Sequence, residues 1–401
     1  MGKPYKVRWK TTKGIEKVAW KVKYLDESGN LHQRQFLTKK EAVDFNAKSH
    51  IELKNGIHVP DRKTLSIKEM ATVWLHECAI GPNGRMPLEP ATISNYESEI
   101  RLHINPLIGE LRLNKLDREK IKHFRAELLT SRSRPLAKRV LRTLSTMLNV
   151  ALDKKLLAYN PAIGVTIKDD GRFSEELSIP SKHQVRELIE AAATYPKASK
   201  ATDIRSYNRY YAIFLTLALS GIRISELRGL KWINVNFSKR TIKIQQRADN
   251  KANAIGPPKT KHARRTVQIP TKLVMCLRDW KMYCPDGDLV FPNWQGNIES
   301  YANIRNRGWL PICERAGLCT ISYRVKNGKK KKHVETWFGI HSLRHFHASM
   351  LIASDASPLE IKKEMGHSSI DVTYQFYGHL FPEDDEKRAE RSNSMCIEVF
   401  G

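Results

Sequence analysis

The chain has 401 residues, with 69 Lys+Arg against 42 Asp+Glu and a formal net charge of +27. Hydrophobic residues make up 41%, with 8 Trp, 13 Tyr and 12 Phe, enough apolar material for ordinary cores, which excludes intrinsic disorder; at about 100–200 residues per domain, two or three domains are expected. A positive surplus of this size faces a polyanion, most commonly nucleic acid, with a basic membrane-surface protein as the rival reading.

The longest apolar run, Tyr210 to Leu219, is roughly half of the ~20 residues that a bilayer crossing needs and reads as a buried helix. No membrane partner is expected. The opening Met-Gly-Lys-Pro-Tyr-Lys has no apolar signal core, so a cytoplasmic protein is expected. Cys78, Cys276, Cys284, Cys313, Cys319 and Cys396 form no CxxC pair and read as buried free thiols.

In chain order, residues 1–58 alternate like strands: Tyr5 to Trp9, Val18 to Tyr24, a turn at Asp26 to Asn30, then His32 to Phe36, with Thr38 capping a helix. The expectation is a small three-stranded sheet plus helix. Its polar positions Lys6, Arg8, Lys10, Lys21, Lys23 and Arg34 are expected on one basic face beside Trp9 and Trp20, suited to DNA. Asn55 to Lys63 reads as a linker. Over 64–168, apolar residues recur every three or four positions, predicting helices near 66–78, 91–104, 118–129 and 134–156. Arg139 and Arg142 belong to its basic surface. A second polar, turn-rich linker begins at Asp169.

Residues 175–401 read as a mixed α+β, mainly helical domain. Helices are expected near 182–195, 207–219, 225–231, 271–283, 300–317, 342–353 and 358–365, and strands at Thr241–Gln246 and Arg265–Ile269. The run Lys326 to Lys332 reads as an exposed hairpin loop touching phosphates through residues such as Lys329 and Lys330. A charged helix from Pro382 to Arg391 and an apolar strand from Cys396 to Phe400 close the chain.

Four stretches of this last domain carry chemistry. In Leu219-Ser-Gly-Ile-Arg-Ile-Ser-Glu-Leu227, a Gly-marked turn holds Arg223, whose planar fork matches two phosphate oxygens. Pro257-Pro-Lys-Thr-Lys-His-Ala-Arg-Arg265 lies between two strands and offers a lysine at a hairpin tip that can reach into a site and donate a proton, with Lys261 expected to contact DNA. His341-Ser-Leu-Arg344 puts two side chains on one face of a helix start, and Met365 to Leu380 carries His367, Tyr374 and Tyr377. The histidines have no interleaved Asp, Glu or Cys, which argues against a metal site.

Together these stretches resemble the tyrosine recombinase (phage integrase) family: G-x-R-x-S-E-L at 221–227, P-K-T at 258–260, H-x-L-R-H at 341–345 and G-H-S-S-I-x-V-T-x-x-x-Y-G-H-L at 366–380 occur in family order. Thr92 to Tyr96, His103 to Gly109 and Asn160 to Ala162 resemble the family's four-helix, SAM-like core-binding domain, and residues 1–58 its arm-binding domain. The resemblance implies Tyr377 as the nucleophile on a DNA phosphate, with Tyr374 competing, and a 3′-phosphotyrosyl intermediate. It places Arg223, His341, Arg344 and His367 around that phosphate, gives Lys259 the leaving 5′ oxygen to protonate, and makes Glu226 an orienting acid. His345 and His347 are expected to pack or bond locally.

The implied protein is a site-specific recombinase without cofactor that integrates or excises a mobile element. It would act as a homotetramer on double-stranded DNA attachment sites, nucleoid-associated when bound, with DNA-bending and directionality factors. A type IB-like topoisomerase and a non-catalytic DNA-binding regulator are the alternatives. The terminal strand, by family analogy, pairs with a neighbouring protomer.

Overall fold

The computed structural model describes residues 3–10, 12, 14–25, 31–54, 64–81, 86–168, 178–195, 209–249, 254–258, 260–326, 329–381, 394–398 and 400. The chain divides into two compact units, residues 1–172 and 173–401. Both predicted linkers, most of each at least, fall outside the described residues, as do the 382–391 segment and Lys259.

The first unit opens with an antiparallel meander of β1 (Tyr5–Lys10), β2 (Glu16–Leu25) and β3 (Leu31–Phe36), followed by helix α1 (Lys39–Lys54). The register pairs Lys6 with Trp20 and Trp20 with Phe36, Val22 with Arg34, and Tyr5 with Lys21. Directly paired residues share a face. The expected single basic face is therefore divided. Lys6, Arg8, Lys10 and Arg34 lie on one side with buried Val22 and Tyr24, where α1 packs and the Arg34 guanidinium lies 4.8 Å from the Phe45 ring centre. Lys21 and Lys23 lie on the other, with Lys23 over the Tyr5 ring.

The helical part follows as predicted. Helix α2 (Ile67–Ile80) starts on a reciprocal Ser66/Glu69 cap and stops at left-handed Gly81. Then come α3 (Pro90–Glu99), one wider turn at Ile100–Ile104, the short α4 (Asn105–Ile108), α5 (Arg118–Ser131) capped by Asp117, and α6 (Arg134–Asp153). They close around Trp74, Phe124, Leu144, Met147 and Leu148. Inside, buried Glu99 accepts from Thr143 Oγ1 at 2.5 Å and pairs with Arg139 Nε at 2.5 Å, so Arg139, though exposed like Arg142, is paired within its own domain.

The second unit strings α7 (Lys182–Ala193), α8 (Arg209–Ser220) and α9 (Ile224–Arg228) before a small sheet zone. There β4 (Val235–Asn236), β5 (Thr241–Ile244) and β8 (Arg265–Gln268) form one antiparallel sheet in that order, and β6 (Arg247–Ala248) pairs with β7 (Ile255–Gly256). Helices α10 (Thr271–Tyr283), α11 (Tyr301–Asn303) and α12 (Leu310–Arg315) follow. The predicted 300–317 helix is interrupted by a wider turn at Ile304–Trp309, where Gly308 lies so close to Tyr210 that a Cβ would sit 2.4 Å from the ring. Phe214, Trp280, Phe291 and Trp309 fill the core.

Strands β9 (Cys319–Lys326) and β10 (Lys329–Thr336) then form a two-stranded antiparallel hairpin. The lysine run expected as a loop is thus largely strand, with Lys330 exposed on β10 and the side chains of Lys329 and Lys261 outside the described residues. Helices α13 (Ser342–Ile352), α14 (Pro358–Met365) and α15 (Ile370–Tyr377) complete the unit. Residues 394–398 are helical and exposed, which includes 396–398 of the strand expected from Cys396 to Phe400. Cys396 is accordingly an exposed thiol, unlike buried Cys78, Cys276 and Cys313. Among the described residues, no helix is long and apolar enough to cross a membrane.

Candidate active site

Helix α8 ends because Gly221 takes a left-handed φ of +60°, and a Cβ there would lie 2.5 Å from the His347 ring. Only glycine fits that turn. The chain leaves it extended at Arg223, which caps α9. The Arg223 backbone N–H donates to Glu226 Oε2 at 2.9 Å, and its Nη1 donates to Oε1 at 3.0 Å. Glu226, 2% exposed, also accepts a two-pronged donation from Arg265, Nη1 at 3.1 Å and Nη2 at 2.9 Å. Burial alone would raise the Glu226 pKa, but the hydrogen bonds and charge of Arg265, with the charge of Arg223, hold it below the usual carboxylate value. The carboxylate is ionised and binds one arginine rigidly while orienting the second.

Arg265 was not singled out by the sequence reading. Besides Glu226, its guanidinium donates to Glu364 O at 2.7 Å and Ala263 O at 3.0 Å, tying β8 to the end of α14. That end is Gly366, again left-handed at φ +64°, where a Cβ would meet Arg265 Cδ at 3.0 Å and His262 O at 3.2 Å. The turn bearing residues 260–264 thus runs against the Gly366 end of α14.

Arg344, on the first turn of α13, is 4% exposed. It donates to Gly221 O at 2.7 Å and to Met365 O, so both glycine turns are bound to it. Burial, then Arg223 and Arg265, push its pKa down to about 9, which leaves it charged at neutral pH. Mutually repelling guanidiniums held this way form a site whose electrostatics favour an incoming anion.

Tyr377, the last residue of α15, is 1% exposed and joins a core patch with Ala348, Ile352, Ile361 and Met365. The His367 ring lies parallel to the Tyr377 ring, with centroids 6.2 Å apart. Its Nδ1 is 2.9 Å from Thr373 Oγ1, a buried partner one turn before Tyr377 that fixes the ring. The Tyr377 hydroxyl lies 2.7 Å from His345 Nδ1, and His345 meets His341 edge to face at 5.0 Å. Tyr374 is half exposed and faces Phe381.

All of these histidines are held uncharged at neutral pH. Burial, followed by Arg344, Arg223, Arg265 and His345, lowers His367 to about 3. Burial, His341 and Arg344 lower His345 to about 4. His341, open to solvent at its outer edge, is lowered by desolvation and then by Arg344 and Arg223. Burial pushes Tyr377 up to about 12 against the opposing pull of Arg344 and Arg223. Among the described residues, no group of three or more His, Cys, Asp or Glu is placed to hold a metal ion.

Of the residues expected from sequence, Arg223, Glu226, Arg344, His367 and Tyr377 are linked into one cluster, and His341 joins it through His345. Lys259 lies outside the described residues. Arg265 and Thr373 are the members that sequence reasoning passed over, and His345, expected only to pack or bond locally, contacts Tyr377 instead.

Residues 181–384 match the Phage integrase family, and residues 83–129 match the phage integrase N-terminal SAM-like domain. A XerC-like tyrosine recombinase of Caldanaerobacter subterraneus subsp. tengcongensis is 26% identical over 93% of this chain and 94% of its own length. The ICEBs1 integrase of Bacillus subtilis is 22% identical over 89% and 90%. Among solved structures, the Tn1549 transposon integrase in complex with a circular intermediate DNA superposes with a TM-score of 0.62 at 16% identity, covering 82% of this chain and 99% of that one. A lambda integrase tetramer bound to a Holliday junction gives 0.52 at 13% identity, covering 90% and 95%. With half of its length matched by the family and the motif residues gathered into one cationic cluster around a buried tyrosine, the chain belongs to the phage integrase family, the DNA-breaking and -rejoining tyrosine recombinases.

Proposed function

We propose that the protein integrates or excises a mobile element by cutting and rejoining DNA at attachment sites through a 3′-phosphotyrosyl intermediate on Tyr377. The observation that carries this reading is the Tyr377 hydroxyl held beside His367 and His345, with Arg344 and Arg223 close enough to pull on its acidity.

A phosphodiester under attack gains negative charge on its non-bridging oxygens. Arg223 and Arg344 are preorganised to meet that charge, and His341 and His367 supply neutral imidazole donors. Glu226 and Arg265 hold Arg223 in place. Lys259 protonates the leaving 5′ oxygen. The covalent bond conserves the phosphodiester's energy, so rejoining requires no external energy source.

The finer organisation belongs to the same proposal. Residues 1–58 bind arm-type sites, 64–168 clamp core-type sites and 175–401 catalyse, as four protomers on paired sites aided by DNA-bending and directionality factors. The lambda integrase tetramer on a Holliday junction supports that stoichiometry by analogy of fold.

The test is incubation in EDTA with supercoiled plasmid, plain or carrying DNA from either side of the protein's own gene. A covalent protein–DNA complex is expected on the second plasmid, absent in Tyr377→Phe and retained in Tyr374→Phe. Loss in Tyr374→Phe alone moves the nucleophile, and equal relaxation of both plasmids makes the protein a topoisomerase.

A further inference from the structure

The His345 ring nitrogen is within hydrogen-bond distance of the Tyr377 hydroxyl, 2.7 Å. Among the described residues no other side chain makes a hydrogen bond to that hydroxyl. His341 lies one ring further away, beyond His345. Helix α13 delivers this contact by its own geometry: Arg344 and His345 are consecutive, so Arg344 turns toward the glycine turns while His345 turns toward α15. A residue adjacent to the anion-binding arginine thereby touches the reacting oxygen.

Resting on Tyr377 as the nucleophile, we propose that His345 is the acid–base group of the nucleophile side, accepting the Tyr377 hydroxyl proton at cleavage and returning it at rejoining. In the forward step the Tyr377 oxygen forms a bond to the scissile phosphorus and the phosphorus–O5′ bond breaks. The phenol proton passes to His345 Nδ1, and the 5′ oxygen takes a proton from Lys259. Rejoining reverses each transfer, so proton and charge balance over one cycle.

Geometry makes the transfer direct, with no intervening water. The neighbours that bias it are His341 at the N-cap of α13, Arg344 on α13, His367 beyond the end of α14, and Tyr377 on α15. Without DNA, a neutral imidazole faces a neutral phenol, and the contact is a hydrogen bond only. A bound phosphate offsets Arg344, which raises the basicity of His345. The phenol becomes strongly acidic as its oxygen bonds to phosphorus. Transfer therefore becomes favourable only as attack proceeds.

The test uses full-length protein and a nicked duplex of the cleaved attachment DNA that traps the covalent complex. His345→Ala and His345→Asn are compared with wild type; Asn keeps a hydrogen-bonding group but no base. Both variants are expected to bind the duplex and melt like wild type, to form the complex about 100-fold more slowly, and to lose the acid limb of the pH–rate profile. Added imidazole restores part of the rate in His345→Ala. A substrate with sulfur at the bridging 5′ position rescues Lys259→Ala but not the His345 variants. Wild-type rate and acid limb in His345→Asn would overturn the proposal, leaving a mere hydrogen-bond contact, as would rescue of His345→Ala by the sulfur substrate. If a variant melts below wild type, the imidazole and pH arms decide, because a packing defect responds to neither. Covalent complex formation by Tyr377→Phe would instead mean that the nucleophile itself was misassigned.

Discussion

Glu226 shows how a single buried carboxylate sets the geometry of a cationic site. Its two oxygens satisfy Arg265 and reach Arg223, and removing Arg265 leaves that charge buried without its main partner. Arg265→Ala should therefore lower stability by about 3–5 kcal/mol, read as a drop in denaturant midpoint, and Arg265→Lys should recover only part because it cannot donate two-pronged. The histidines give a pH prediction whose sign follows from linkage. His345, His347 and His367 have an ordinary value of 6.5 but stand at about 4, 4 and 3 in the fold, so the unfolded chain takes up protons first as acid is added. Their stabilising contribution is complete above about pH 6.5 and lost as pH falls toward those folded values. Calorimetry should show the catalytic unit melting lower at about pH 5 than at neutrality, and His347→Gln should flatten that dependence. Residue types and spacing drew attention to Arg223 and Arg344, because each sits in a local motif, while the choice of Tyr377 over Tyr374 came from the family resemblance. The contacts of Arg265 and His345 were not legible: their partners are 39 and 32 residues away in sequence, and only packing creates those contacts.

At the scale of elements, the glycine turns that end α8 and α14 decide where the side chains proposed as catalytic point. Gly221→Ala combines a strained left-handed backbone with a Cβ 2.5 Å from His347. A cost of at least about 1–3 kcal/mol is expected, together with a loss of covalent complex formation larger than stability alone explains, because the Gly221 carbonyl holds Arg344. Cleavage at wild-type rate in a folded Gly221→Ala would show that this turn does not set the arginine. Helices were readable wherever caps and three-to-four spacing coincide, as in α2 with its Ser66/Glu69 pair. Of the β9–β10 hairpin only the turn within Lys326 to Lys332 was readable. Its lysines have low strand propensity and its exposed Ile321, Tyr323 and Val325 line no core, so periodicity did not mark its strands. The short apolar run near the C-terminus fits strand and helix equally by pattern, and the helical outcome at 394–398 reflects that ambiguity.

Across the whole molecule, the +27 charge predicts DNA affinity that falls steeply with salt through counterion release. The divided N-terminal sheet refines where those contacts lie. The side covered by α1 is partly occupied by packing, so Lys21 and Lys23 on the open side are the residues expected to reach phosphates. Reversing both to Glu in the full chain should reduce the slope of log affinity against log salt by about two, whereas reversing Lys6 and Arg8 should change it less; equal effects would mean that both faces dock. Which lysines share a face depends on strand register, which alternation within each strand leaves open. Tyr377 has a consequence at this scale too. At 1% exposure, beside Tyr374 at 51%, the phenol proposed as the nucleophile is sheathed in the free chain. A protein that diffuses among a cell's RNA and metabolite phosphates thus carries its proposed cutting edge covered, and the tyrosine a solution oxidant or nitrating agent would reach first is the neighbour, Tyr374.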